Sequence, residues 1–129
     1  MKKYKKSTEV RKADTEFSKY IRGSYADANG YVRCFTCGVR KPIAEMHCGH
    51  FQPRSREVIK WDENNARPQC PSCNLYYQGR QYEFGKILER EIGQKEVERL
   101  IILAHTTIKL TAADVHKIYF KYKKLNGGG

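Results

Sequence analysis

The chain has 129 residues, with 25 lysines and arginines against 14 acidic residues and a formal net charge of +11. That length supports one domain with a modest core, to which a structural metal would add usefully, and the charge favours a polyanionic partner, nucleic acid before a membrane surface. No apolar run approaches the roughly 18 residues that span a bilayer, and the basic N-terminus lacks the apolar centre of a signal peptide, so the expected location is the cytoplasm.

Residues 1–7 are a charge run with no apolar face and are expected to form a flexible basic arm. From about Thr8 to Arg22, Val10, Ala13, Phe17, Tyr20 and Ile21 recur at helical spacing, and Gly23 can end the helix. Residues 23–30 close on Asn29-Gly30, and Tyr31-Val32-Arg33 reads as a short strand leading into Cys34. Lys41-Pro42 interrupts the chain. Ile43 to His50 then alternates as a strand, with Met46, Cys48 and His50 on one face and His47 and Gly49 on the other. The stretch from Phe51 to Asn65 mixes Arg54, Arg56 and Lys60 with Val58, Ile59 and Trp61, as a loop lying against phosphates would. A helix is expected from the second cysteine pair to about Glu91, bent near Gly79, with Phe84, Ile87, Leu88 and Ile92 buried. Another runs from about Gln94 to Ala104, with Val97, Leu100, Ile101 and Ala104 inward. Thr111-Ala-Ala-Asp114 has capping-box form and opens a last helix, whose inner face is Val115, Ile118, Tyr119, Tyr122 and Leu125. Residues 127–129 should be a disordered tail, leaving a single domain at 8–126 with its core at 31–92.

The five cysteines include two C-x-x-C pairs, Cys34/Cys37 and Cys70/Cys73, about thirty residues apart. Each short turn aims two thiolates at one point, and together the four complete a closed tetrahedral Zn²⁺ shell. Cys48 is the odd one and is expected to pack as a small apolar residue. His50 lies inside the loop that the zinc would close, with Asn65 five residues before Cys70 and Asn74 directly after Cys73. This spacing is similar to that of HNH, or His-Me finger, nucleases, with asparagine in place of the third histidine. The similarity implies an α+β fold: a zinc-bound ββα-metal core with one helix before it and two after. It further implies His50 as general base, Asn74 as ligand of a catalytic Mg²⁺ or Mn²⁺, and Asn65 as the residue bracing the loop.

More of the chain joins the pattern: Gly30-Tyr31, Arg33-Cys-Phe-Thr-Cys-Gly38, Gly49-His50-Phe51, Glu63-Asn-Asn65, Gln69-Cys70, Cys73-Asn74, Gly79 and Ile92-Gly93. Together these resemble the NinG (also called Rap) recombination protein family of lambdoid phages, and Phe17 to Arg22 and the helical tail fit as well. The resemblance implies a metal-dependent endonuclease, encoded by a phage and working in its bacterial host, that acts on branched DNA such as Holliday junctions and D-loops. A homodimer, and phage or host recombination proteins as partners, are consistent with that role. One departure stands out. Many His-Me finger nucleases carry Asp or His directly before the base, where this chain has Gly49, so the second metal ligand is open; His47 is the first candidate, with Glu45 and Asp62 behind it. Arg54, Arg56, Lys60, Arg67 and Arg80 are the candidate DNA contacts. Two other readings fit part of the pattern: a zinc-dependent nucleic-acid-binding module without catalysis, and a sequence-specific HNH nuclease.

Overall fold

A computed structural model describes residues 3–128; Met1 and Lys2 of the expected arm and Gly129 of the expected tail lie outside the described residues. Helix α1 (Lys6–Ser24) begins two residues earlier than its apolar spacing predicts. The reason is tertiary. Glu9 is buried in the first turn, where the helix dipole favours an acid, and its carboxylate meets Lys12 and His116. Ala13, Phe17 and Ile21 of α1 pack against Val115 and Tyr122 of the last helix, α5 (Ala112–Leu125), and Trp61 and Ala66 complete this first core. Phe17 meets the Tyr122 ring edge-on at 5.0 Å between centroids. The Thr111–Asp114 capping box that opens α5 is formed in both directions.

Between these helices lie two small antiparallel hairpins. Strand β1 (Tyr31–Arg33) pairs with β2 (Arg40–Pro42), and the turn between them carries the first cysteine pair. Pro42, expected to break the chain, closes the outer end of this ladder opposite Tyr31, where its missing N–H costs nothing. Residues Ile43–Glu45 form a 3₁₀ turn, so the expected long strand is reduced to β3 (His47–His50). Its partner is β4 (Ala66–Gln69), in the register His47 to Gln69 and His50 to Ala66. Between β3 and β4 the chain makes one helical turn, α2 (Glu57–Lys60), and a 3₁₀ turn at Glu63–Asn65 whose first N–H groups are capped by Asp62.

The second cysteine pair sits on a wide π-type turn, Ser72–Tyr76, and the expected continuous helix is broken rather than bent. Gln78, Gly79 and Arg80 all have positive φ. The Gly79 N–H donates to the Cys73 carbonyl at 2.7 Å, and the Gly79 carbonyl accepts from Gln69 Nε2 at 2.9 Å, so the break is fixed by bonds around the cysteines. Helices α3 (Gln81–Ile92) and α4 (Gln94–Ala104) follow, separated by Gly93 at φ 90°. Phe84, Leu88, Val97, Leu100 and Ala104 form a second core with Phe51 and Ile59. Ile101 and Leu125, expected inward, are exposed. A third, small cluster joins Val32 and Met46 to Cys34, Cys70 and Cys73. Among the described residues no helix is long and apolar enough to cross a membrane.

Candidate metal centre and adjoining cleft

The knuckle turn at Cys34 is closed by two backbone bonds, Cys34 N–H to the Val39 carbonyl at 2.7 Å and Gly38 N–H to the Cys34 carbonyl at 3.0 Å. Gly38 takes φ 83°, which a side chain would strain. The hairpin and the π-type turn bring Cys34, Cys37, Cys70 and Cys73 together, with all four sulfurs within 4.8 Å of one another. Cys37 and Cys70 are 3.7 Å apart. The edge of a tetrahedron with Zn–S bonds of about 2.3 Å is about 3.8 Å, so the cluster could hold a structural zinc with little movement. Its electrostatics call for a cation as well. Burial raises the Cys34 thiol, but N–H groups of the knuckle and the Thr36 hydroxyl outweigh it and bring it down to about 6. Burial pushes the Cys37 thiol up to about 12 and raises Cys70. One anion therefore forms readily at Cys34, whereas Cys37 and Cys70 need a positive charge beside them to lose their protons.

Arg80, expected as a DNA contact, is bonded to this centre. Its Nε–H donates to Cys73 Sγ at 3.2 Å, and its guanidinium lies 3.9 Å from the Tyr77 ring centroid. Hydrogen bonds to ligand sulfurs of this kind orient the ligands and stabilise thiolate. Its left-handed φ of 47° and its position just after Gly79 are set by the break before α3.

Beside the knuckle, a cleft of about 460 Å³ is lined by His47, His50 and Asn74 together with Asp14, Arg22, Cys48 and Arg54. The histidines were expected on opposite strand faces; they meet in one cleft because β3 is only four residues long and the turn after Cys73 folds over its start. The His50 Nε2–H donates to the Lys60 carbonyl at 2.9 Å, which leaves Nδ1 as the lone-pair nitrogen. That Nδ1 is buried and has no hydrogen-bond partner. Burial holds the imidazole down to about 4, against the Lys60 carbonyl, which favours the charged ring. At neutral pH His50 is an uncharged acceptor. Asn74 Nδ2 donates to His47 Nδ1 at 3.0 Å, so the two expected ligands of a catalytic ion are neighbours.

Asn65 is fully buried and ties down the loop that follows His50. Its Oδ1 accepts from the Gln52 N–H at 2.8 Å, and its Nδ2 donates to the carbonyls of Gln52 and Ile59 at 3.2 and 3.3 Å. The Ile59 carbonyl immediately precedes Lys60, so the group that orients His50 is fixed by Asn65. Asp14, not anticipated from the sequence, anchors the same loop from α1: Oδ2 accepts from Arg54 and Lys60, each at 3.0 Å, and Oδ1 from Trp61 Nε1 at 3.0 Å. It stands in the apolar stripe of α1 one residue after Ala13, and no local spacing marks it out.

The remaining expected positions divide clearly. Arg67 is 3% exposed and bonds Glu91 and the carbonyls of Glu63 and Ala66, so it braces β4 and does not face a ligand. Lys60 is likewise buried on Asp14. Arg54 stays exposed at the cleft rim although paired with Asp14, and Arg56 is exposed. Glu45 and Asp62 do not line the cleft; Asp62 caps its turn and pairs with Arg99. Gly49 has a physical cause: a Cβ there would lie 2.0 Å from Gln69 Oε1, so the side chain of Gln69 fills the place of an acid before His50. Cys48 packs against the first core, and burial pushes its thiol up to about 12, which makes it inert.

Comparison with known proteins agrees with the sequence pattern. The family model described as Bacteriophage Lambda NinG protein matches residues 1–126. Two proteins named Protein ninG, from Escherichia phage 933W and Enterobacteria phage VT2-Sa, are each 25% identical to this chain over 115 residues. The alignment covers 83% of this chain and 56% of each relative, so the chain spans about half the length of the curated relatives it matches. No solved structure matches.

Proposed function

The chain belongs to the NinG family of bacteriophage proteins, and from that premise we propose that it is a metal-dependent endonuclease of the HNH type that cuts branched DNA during phage recombination. The observation that carries this reading is His50. An orphaned buried ring nitrogen costs about 1–3 kcal/mol, a cost that proteins retain where the group has work to do. His50 Nδ1 is such a nitrogen, on a ring oriented through its other nitrogen by the Lys60 carbonyl. The surrounding order of elements supports it too: two antiparallel strands, β3 and β4, then a helical turn bearing Asn74 beside the cleft.

In the proposed reaction His50 Nδ1 takes a proton from water, and the water oxygen bonds to phosphorus as the P–O3′ bond breaks. The leaving O3′ takes a proton from solvent and His50 returns its proton to solvent, so the products are a 5′-phosphate and a 3′-hydroxyl. The Lys60 carbonyl, already accepting from Nε2–H, steadies the imidazolium that forms, and a phosphate in the cleft raises the basicity of the ring from its resting value. Arg54 and Arg22 at the cleft would meet the phosphate oxygens. The oxygen of Asn74 and a lone-pair nitrogen of His47 would be donors that fit a divalent ion still keeping most of its water. When bound, that ion supplies charge stabilisation at the phosphate and the leaving oxygen.

The test is cleavage of a labelled four-way junction and a linear duplex of the same sequence, with Mg²⁺, with Mn²⁺ and with neither ion added. Metal-dependent cutting confined to the junction is expected, falling by a factor of about 10²–10⁴ in His50→Ala, the usual weight of a general base, while circular dichroism stays unchanged. Binding without cutting in every condition would replace this reading with that of a non-catalytic zinc module.

A further inference from the structure

Three clefts adjoin one another through shared lining residues, beginning with the one that holds His47 and His50. The first holds His50 with Arg22 and Arg54; the second, of about 380 Å³, shares His50 with it and is lined by Gln52, Gln78 and Gln81. A third, of about 230 Å³, shares Phe51 and Gln81 with the second and ends at Tyr82 and Lys86 on α3. The chemistry changes from one to the next. Cations flank the first cleft, whereas the second contains three side-chain amides and no charged group. In the third, Lys86 is offset by Glu89, and apart from the Gln81 amide the rest is apolar or aromatic.

Phosphates suit the first cleft. The other two suit something flat, neutral and edged with donors and acceptors, because glutamine amides offer both and an exposed tyrosine offers a stacking face. Tyr82 is 74% exposed, on helix α3, with Lys86 Nζ 5.7 Å from its ring centroid, and among the described residues no ring covers it. Gly85 makes the floor: a Cβ there would come within 2.9 Å of the Phe51 ring, so the shallow shape of the third cleft depends on a glycine in mid-helix. We propose that these clefts form one track for an unpaired DNA strand, with its phosphate at the His50 cleft, bases over the glutamine amides, and one base stacked on Tyr82. This inference rests on the nuclease reading for the identity of the polymer, and it gives that reading a reason to prefer branched substrates. A paired duplex hides base faces and edges that only an unpaired arm offers.

The experiment uses the full chain without chelator and with no Mg²⁺ or Mn²⁺ added, so that the cysteine centre keeps its metal and nothing is cut, and measures binding to a DNA flap carrying 2-aminopurine in its unpaired arm and to a matched duplex. Wild type should prefer the flap and change the probe's fluorescence as it stacks. Tyr82→Ala should weaken flap binding by about 5- to 150-fold, the range for loss of one base–aromatic stack, cancel the fluorescence change and leave duplex binding alone. Tyr82→Phe should restore both. Tyr76→Ala is the control, since Tyr76 is 79% exposed yet lines none of the three clefts, and it should behave as wild type. Equal binding of flap and duplex by wild type, or a Tyr82→Ala protein that behaves as wild type, overturns the track. Absence of metal-dependent cutting on any substrate would instead overturn the nuclease reading and leave these binding results standing.

Discussion

The cysteine centre and the His50 cleft lie side by side, yet they are built on opposite plans. Around the cysteines every donor turns inward: four sulfurs converge, knuckle N–H groups point at them, and Arg80 adds one more bond from outside. Around His50 one ring nitrogen is committed to the Lys60 carbonyl and the other is left without a partner. A closed donor set contributes stability and leaves no reactive position, whereas an incomplete one sacrifices stability and keeps a place where chemistry can occur. The first centre is also local, drawn from two short turns. The second draws on α1, β3, the loop after it and the turn beyond Cys73, so it exists only once the three cores have docked.

Removing the closed centre should have the largest effect. Structural zinc contributes on the order of 10 kcal/mol, comparable to the whole stability of a domain this size. Chelation, or Cys70→Ser, should therefore abolish cooperative thermal unfolding; a normal melt from protein shown by elemental analysis to be metal-free would mean that the cluster is not a structural metal centre. Next comes the brace of the open centre. Asn65→Ala leaves the Gln52 N–H and the carbonyls of Gln52 and Ile59 without their buried partner, at about 3 kcal/mol in urea unfolding. Asn65→Asp should be worse, since it keeps the acceptor but loses both donated bonds and buries a charge. If the two variants prove as stable as wild type, the loop is held by Asp14 and not by Asn65.

An effect of similar size, reached only at the acid end of the range, concerns His50. Its folded pKa of about 4 lies below the unfolded value of 6.5, so between those pH values the unfolded chain binds a proton that the folded one refuses. Stability must fall as pH drops through that window, by about 3 kcal/mol at its lower end, and be unaffected by this group above pH 6.5. Comparing wild type with His50→Gln isolates the term, because acid release of metal affects both alike. Parallel stability curves from pH 7 to pH 4 would show that His50 is not held neutral by burial.

Much of this was legible in the residues. The cysteine set is complete in the sequence because each pair is a local turn with its own spacing, and helical periodicity found the buried faces of α1, α3 and most of α4 and α5. Strand β4 was not legible. Ala-Arg-Pro-Gln has no β-branched residue and no alternation, since all four are buried, and it is a strand because β3 and the cysteine turn on either side leave it no other course. The basic residues were legible as charge but not as contacts. Arg67, Lys60 and Arg80 turned inward to Glu91, Asp14 and Cys73, partners 24, 46 and 7 residues away.

By itself, then, the sequence determined the four cysteines of the candidate metal centre, the helical faces and the phage family, all of which depend on residue types at short, regular spacing. Tertiary structure alone decided that His47 and His50 share a cleft, that Gln69 occupies the space beside Gly49, that Asp14 and Asn65 hold the loop behind His50, and that Tyr82 lines the last of the adjoining clefts. The reason is one of range. Spacing encodes what neighbours along the chain can do together, while a cleft is made by side chains whose only relation is the packing that brings them there.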